Sequence, residues 1–187
     1  PRPGAALAGL AGVAAAEIAL SLPHPVYDLT REDLAEGRGL SAARQTGWRC
    51  LVSRGDGSVA AVEAPLGPPP LPPRPGGPPV PPSAPAEPAE SHVNTGPFVA
   101  ATEVALKLAE AHPEVLLHPF ELRLLRITAL HVMALWLVPD GGGPGLVVPL
   151  APRPRDLAEG VLAEKDFVSS LSAAARAQRE RPGSPWR

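Results

Sequence analysis

The sequence predicts an α+β fold: an antiparallel sheet with helices packed on one face, interrupted by a proline-rich, disordered insert. Two sheet signals support it, an apolar and β-branched stretch from Phe120 to Ala151 and a hairpin pattern from Gly47 to Ala64. Segments with helical periodicity precede and follow the longer stretch. Elements in this order are typical of a sheet with helices laid against one side.

The chain divides by composition into five segments. They are an alanine-rich N-terminal helix or arm (1–22), the first part of the α+β domain with its hairpin (23–64), a proline-rich linker or insert (65–96), the second part of the domain (97–180) and a tail (181–187). Neither part has enough apolar residues for a core of its own. We therefore expect the hairpin to join the sheet formed after the linker.

Composition excludes several classes of protein. The 187 residues include 27 prolines and 18 glycines, so part of the chain cannot pack into a core. The formal charge of −2 gives no overall basic field, and nucleic acid is not an expected partner. A single cysteine, Cys50, excludes an internal disulfide framework and a cysteine-rich zinc site.

The first 22 residues are rich in alanine, and their apolar side chains recur at the spacing of one helical face. Pro23 ends the predicted helix because proline lacks an N–H donor. A secretory signal is the alternative: Arg2 supplies the charge, residues 5–16 the apolar region and residues 14–16 a cleavage site. The expected location is the cytoplasm, or outside the cell if residues 1–16 are the remnant of such a signal.

A short helix is predicted after a brief strand at Val26–Leu29. Thr30 and Asp33 have the spacing of a capping box, in which two side chains satisfy free backbone N–H groups. The acidic residues of this first turn suit the helix dipole, so a metal site is not needed to explain them. The helix should end at Gly37 or Gly39.

Residues 47–64 form the predicted hairpin. Trp48, Cys50 and Val52 fall on one face of the first strand, a glycine-rich turn follows, and Ser58–Ala64 returns as the second strand. Because Cys50 stands among apolar neighbours, we interpret it as a small buried hydrophobe and not as a nucleophile.

From Pro65 to Pro88 about half of the residues are proline, which predicts a solvated polyproline II or disordered linker. Within it, Pro69, Pro72 and Arg74 match the P-x-x-P-x-R pattern of ligands for SH3 domains and are the candidate partner-binding residues. A plain tether is the alternative, since any proline-rich tract contains P-x-x-P by chance.

Two longer helices are predicted in the second part of the domain. The first runs from Pro97 to near His112, with Asn94 or Thr95 as its cap. Its expected inward face is Phe98, Ala101, Thr102, Ala105, Leu108 and Ala109. The last helix runs from Leu162 to Arg179, with Leu162, Phe167, Val168, Leu171, Ala174 and Ala175 inward.

The stretch from Phe120 to Ala151 contains the remaining strands. Apolar and charged residues alternate over 120–124, the period of a strand with one face in water, and a break is expected near 127–129. The glycine cluster at 140–144 then reverses the chain into a strand at 145–151. The apolar run at the centre is too short for a membrane span, which needs roughly 20 apolar residues.

His131 is the candidate ligand-binding residue. We expect it on the long strand, in a pocket between sheet and helix where it meets a ligand together with Arg123 or Arg126. The alternative is a histidine at the edge of the core with one satisfied hydrogen bond. The sequence contains no catalytic, metal-binding or cofactor-binding motif, so no cofactor is expected.

Three segments carry a resemblance: Gly47-Trp48-Arg49, then ELRLLRITALHVMALWL at 121–137 and LVVPLAP at 146–152. With a helix after the first segment, this order resembles uncharacterised α+β proteins of high-GC, actinobacteria-like bacteria. The resemblance covers most of the chain outside the linker. It implies neither an activity nor any site residue.

Two functions follow as hypotheses. The first is a non-catalytic interaction or accessory protein that binds a protein partner, or a second copy of itself, as part of a larger assembly. A sheet edge, the N-terminal arm or the proline tract would make the contact. The second is a small-molecule-binding or enzymatic α+β domain with a pocket near His131.

Overall fold

A computed structural model describes residues 19–54, 57–66, 92–94 and 97–179. Within them the α+β prediction is confirmed, with strands and helices in the following order. The elements are β1 Ala19–Asp28, α1 Arg31–Ala35, β2 Arg44–Arg54, β3 Gly57–Pro65, β4 His92–Asn94, α2 Pro97–Glu110, α3 Pro113–Leu117, β5 Phe120–Ile127, β6 Val132–Pro139, β7 Leu146–Pro149, β8 Leu162–Ala163 and α4 Glu164–Arg179.

The strands form one sheet in the order β4-β3-β2-β1-β5-β6-β7-β8. Neighbouring strands are antiparallel, as predicted, except for β1 and β5, which are parallel. This parallel pairing consists of Val26 with Leu124, Tyr27 with Leu125 and Asp28 with Arg126. The hairpin therefore joins the later sheet, and it does so through the strand that precedes it.

The prediction that helices pack on one face is wrong, because helices cover both. Leu125, Trp136 and Val147 pack with α1 and α4, whereas their neighbours Leu124 and Val148 pack with α2. Consecutive strand residues point to opposite faces. The central strands consequently read as continuous apolar runs, a pattern typical of strands buried on both sides. We call the two sides the α4 face and the α2 face.

The N-terminal helix predicted to reach Leu22 is contradicted over its last residues. Ala19–Leu22 belongs to β1, where Leu20 is opposite Val52 of β2, so sheet pairing prevails over helix propensity. An irregularity in the register between Ser21 and His24 accommodates the prolines. The rest of the predicted helix, and the alternative secretory signal, lie outside the described residues.

Two local predictions are confirmed. Thr30 caps α1: its Oγ1 accepts a hydrogen bond from the Asp33 N–H at 3.1 Å, and the Asp33 carboxylate accepts one from the Thr30 N–H at 3.3 Å. The hairpin of β2 and β3 forms with Cys50 opposite Val62. Cys50 is a free, partly buried cysteine. The tip of the hairpin and the proline-rich residues 67–91, including Pro69, Pro72 and Arg74, lie outside the described residues.

The helices of the second part differ in detail from the prediction. Helix α2 begins at Pro97 as predicted but buries Val99, whereas Phe98 and Leu108 are 37% and 41% exposed. The short helix α3 follows and was not predicted. Helix α4 begins at Glu164, because the two preceding residues pair with β7 as strand β8. The predicted break after β5 is confirmed as a 3₁₀ turn at Thr128–Leu130.

The close approach of β2 to β3 makes Gly47 necessary. A Cβ atom at this position would lie 2.6 Å from the Ala64 carbonyl oxygen, a distance at which the strands must separate. We predict that Gly47→Ala destabilises the protein by about 1–3 kcal/mol in urea denaturation. Gly141→Ala is the control, because its Cβ would meet no atom within 4 Å and its effect should stay below about 0.5 kcal/mol. Equal midpoints for the two variants would contradict the strand contact.

Candidate functional site

An ionic cluster occupies the α2 face where β1, β2, β3 and β5 lie side by side. Arg126 is at its centre: Nε and Nη2 donate to the two Asp28 carboxylate oxygens at 2.8 and 3.1 Å. Its Nη1 donates to Glu63 Oε2 at 2.9 Å, and Nη2 also lies 3.3 Å from Thr46 Oγ1. The parallel register brings Asp28 beside Arg126, so the pair is a product of the sheet topology.

Arg49 is the most deeply buried charge of this cluster. It stands on β2 opposite Glu63, its side chain is 1% exposed, and its Nε lies 3.8 Å from Glu63 Oε1. In the part of the chain that the structure describes, none of its three guanidinium nitrogens has a hydrogen-bond partner. Burial, followed by the positive charge of Arg126, lowers its pKa, and Glu63 opposes this shift. Arginine nevertheless stays charged, so a buried guanidinium is left without acceptors.

His24 lies opposite Arg49 on β1 and is 1% exposed. Its Nδ1 is 2.6 Å from the Leu22 carbonyl oxygen, which only accepts, so Nδ1 carries the proton and Nε2 is the acceptor. Nε2 is buried without a partner among the described residues. Leu22 has a φ of 50°, a left-handed conformation that β-strand residues seldom adopt. The irregular backbone at Leu22 thus places a second buried polar atom, Nε2 of His24, beside Arg49.

A cavity of about 330 Å³ adjoins the cluster. Its wall combines a guanidinium, a carboxylate and a hydroxyl with apolar surface, and consists of Val26, Thr46, Gly47, Trp48, Glu63, Ala64, Pro65 and Arg126. Arg49 does not line the cavity, but it contacts Glu63, which does.

Arg123 lies on the opposite face from Arg126, because residues three positions apart in a strand point to opposite sides. Its guanidinium carbon lies 4.8 Å from the Tyr27 ring centroid and 4.9 Å from that of Trp136. The Glu121 carboxylate accepts a hydrogen bond from it at 2.5 Å and raises its pKa. Arg123 is therefore held by two aromatic rings and an acid, and does not meet Arg126.

His131 is not on the long strand as predicted. It ends the 3₁₀ turn between β5 and β6 with a φ of 52°, and its side chain is exposed. It lines a cavity of about 480 Å³. The other lining residues come from the turn, from the loop after β7 and from α4, namely Leu130, Pro152, Arg153, Pro154, Asp156, Leu157, Ser170, Leu171 and Ala174. The structure thus does not bring His131 together with Arg123 or Arg126.

A third feature is the outer surface of α2 and α3. Five of the ten large apolar side chains that the described residues expose are on these two helices. They are Phe98, Val104, Leu108, Leu116 and Leu117, and the last two are 73% and 75% exposed. We call this the α2–α3 surface.

Sequence reasoning missed Arg49 and the partners of Arg126. A signal for Arg49 existed: it occupies the same strand face as Leu51, two residues later, within the otherwise apolar run from Trp48 to Val52. An arginine at a core position of a strand indicates a polar interior. Nothing local, however, links Arg126 to Asp28 or Glu63, which are remote in sequence.

Comparison with protein-family models, curated proteins and solved structures found no match. Among the residues that the structure describes, no helix is long and apolar enough to cross a bilayer. The same residues contain no group of three or more His, Cys, Asp or Glu that is arranged to hold a metal ion.

His24 predicts a dependence of stability on pH. Burial is the main cause that lowers its pKa from 6.5, Arg49 lowers it further, and the hydrogen bond to Leu22 opposes both. The unfolded chain therefore takes up a proton first as the pH falls below about 6.5. The contribution of neutral His24 to the free energy of unfolding is complete above this pH. It decreases by up to about 1.4 kcal/mol per pH unit as the pH falls toward the lower pKa that His24 has in the folded protein.

The measurement is urea denaturation at about pH 7.5 and about pH 5.5, on either side of the ordinary histidine pKa. From the higher to the lower pH, the free energy of unfolding of the wild-type protein should fall more than that of His24→Gln, because glutamine cannot take up a proton. Equal losses would show that His24 does not titrate in this range.

Proposed function

We propose that the protein is a non-catalytic accessory protein that binds a protein partner through the α2–α3 surface. The observation that carries the proposal is the exposure of Leu116 and Leu117, adjacent leucines that each present about three quarters of their side chain to solvent. Single exposed apolar residues are ordinary, but clusters of them mark binding surfaces.

Helix α2 supports the proposal by the distribution of its side chains. The buried apolar positions of the helix are Val99, Ala105 and Ala109, whereas Val104 and Leu108 on its other side are 59% and 41% exposed. A helix that only covered a sheet would place its large apolar residues inward. Val104 and Leu108 are four residues apart and thus neighbours on the helix surface. Apolar residues on both the inner and the outer side of α2 favour a helix that packs on two sides.

The charged residues around this surface fit an interface with a polar rim. Lys107, Glu110 and Glu114 are all exposed on the same two helices. Interfaces commonly combine an apolar centre with polar residues at the margin. Full burial of one such apolar side chain contributes about 1.5–3 kcal/mol, so the five side chains of this surface suffice for a specific contact only if the partner closes over them.

Photo-crosslinking tests the proposal in the natural host. Benzoylphenylalanine replaces Leu117 in one protein and Leu20 in the control, because Leu20 is 69% exposed but lies on β1. We expect a discrete protein adduct from position 117 and none from position 20. The double variant Leu116→Ser and Leu117→Ser should reduce association with the crosslinked protein at least about tenfold, because two apolar anchors are lost.

The identity of the adduct is then read from its mass. An adduct of twice the chain mass means that the partner is a second copy, and any other discrete mass identifies a different protein. The same adducts from both positions, or none from position 117, would contradict the proposal.

A second candidate function is the binding of a small molecule beside His131. The cavity of about 480 Å³ favours it, because small-molecule sites typically have volumes of about 300–1,000 Å³. Its wall is mainly apolar, with the polar groups of His131, Arg153, Asp156 and Ser170. Arg153 is partly committed, since its Nε donates to the Leu157 carbonyl oxygen and its Nη2 to Glu159. The Ser170 hydroxyl donates to the Asp166 carbonyl oxygen at 2.9 Å, so His131 is the group that we expect to contact a ligand.

Native mass spectrometry of protein purified from its host tests this second function. A retained mass of small-molecule size should disappear in Ala174→Trp, which places an indole in the cavity. Ala173→Trp is the control, because Ala173 is exposed on the same helix but does not line the cavity. His131→Ala should weaken retention. Retention in Ala174→Trp equal to that of the control would exclude the cavity as the binding site.

A further inference from the structure

We propose that an apolar surface of the hairpin, on the α4 face of β2 and β3, binds the N-terminal segment of the same chain, residues 1–18. Four side chains of the two strands form this surface, which we call the Val52 surface: Val52, Ala60, Cys50 and Val62. The inference does not depend on the α2–α3 surface or on the cavity at His131.

The α4 face is the side to which Val52 and Ala60 point. Leu51 and Ala61, which come next to them in the chain, pack with Val99 of α2. Consecutive strand residues alternate between the two faces of a sheet, so Val52 and Ala60 face away from α2. The two residues are also directly opposite each other in the ladder between β2 and β3. They therefore form one continuous apolar patch.

The described helices do not account for the burial of this patch. Helix α2 packs on the other face, and on the α4 face α1 and α4 pack against β5, β6 and β7. Val52 and Ala60 are nevertheless 1% and 0% exposed, although no apolar cluster among the described residues includes either of them. Side chains on a sheet reach such burial only beneath a second layer. A layer is therefore needed here that the described residues do not supply.

The start of β1 places residues 1–18 beside this surface. Ala19 pairs with Ser53 and Leu20 with Val52, so the chain enters the sheet next to the patch. Neighbouring strands are about 4.8 Å apart, and a segment must extend only about 10 Å to lie over both β2 and β3. Residues 1–18 suffice for this even as a helix, which would be about 27 Å long.

The composition of the segment also fits an apolar surface. Arg2 and Glu17 are its only charged residues, and alanine and glycine are its most frequent residues. Its larger apolar side chains are Leu7, Leu10, Val13 and Ile18, which recur at helical spacing. Short helices gain most of their stability from packing an apolar face and not from propensity. The segment thus needs a surface to pack on, and the Val52 surface needs a cover.

Covalent linkage favours this occupant over a separate molecule. A tethered segment has an effective concentration on the order of millimolar, whereas a second copy or another protein binds only as far as its own concentration allows. The tether begins at Ala19, in direct register with Ser53, so little chain entropy opposes the contact. The N-terminal segment of the same chain is therefore the expected cover.

The reactivity of Cys50 tests the proposal on the full chain, because Cys50 is the only cysteine and lies on the Val52 surface. The double variant Leu10→Ser and Val13→Ser should react with N-ethylmaleimide at least about tenfold faster than the wild-type protein, because two apolar anchors of the contact are lost. The control is the double variant Ala8→Ser and Ala15→Ser, which adds the same two hydroxyl groups but removes no large side chain. It should react at the wild-type rate.

Two outcomes of this experiment would overturn the proposal. Equal rates for the two double variants would show that Leu10 and Val13 do not cover the surface. A wild-type rate that rises on dilution would assign the cover to a second copy of the chain.

The nuclear Overhauser effect provides a test that needs no variant. The methyl groups of Val52 should give cross-peaks to Leu10 or Val13, because these side chains are in contact. Val132 is the control, since it is buried in the α4-face core with α1 and α4 and should give none to residues 1–18. The absence of cross-peaks between Val52 and residues 1–18 would overturn the proposal. Cross-peaks that arise only between labelled and unlabelled chains in a mixed sample would do the same.

Discussion

The parallel contact between β1 and β5 is the constraint on which the rest of the structure depends. Only three residue pairs form it, yet it joins the strands that begin the two halves of the sheet. Arg126 reinforces the contact at its end, because its guanidinium binds Asp28 on β1 and Glu63 on β3 and approaches Thr46 on β2. One side chain of β5 thereby contacts three strands of the other half. The ionic cluster is thus part of the contact between the two halves of the sheet as well as a candidate functional site.

The two halves repeat one plan. Each is an antiparallel meander of four strands followed by a helix, β1–β4 with α2 and β5–β8 with α4, and the first strands lie side by side. Since these strands are parallel and the helices lie on opposite faces, a half-turn about an axis along the strands relates the halves. Helix α2 consequently packs on β6 and β7 of the other half. The core of the α4 face includes no residue of β2 or β3, and Trp48 on that side is 46% exposed.

Local signals in the sequence were sufficient to predict those features that depend on residues close together in the chain. The capping box at Thr30, the hairpin of β2 and β3 and the start of α2 at Pro97 are of this kind. Contacts between segments that are remote in the sequence determine the features that could not be predicted. Pairing with β2 makes Ala19–Leu22 a strand, and the second helical layer follows from a parallel pairing that no short pattern encodes. His131 was misplaced because its left-handed turn conformation is unusual for a residue other than glycine.

The candidate sites share a physical property that connects them to function. Arg49 is a charge where an apolar residue would pack with greater stability, and Leu116 and Leu117 are apolar where polar residues would be better solvated. Both departures lower the stability of the isolated chain, so packing of this chain alone does not account for either. Proteins commonly break a local rule of stability where they bind something. A partner over the leucines would cover one of these groups, and a hydrogen-bond acceptor beside Arg49 would satisfy the other, which has no partner among the described residues.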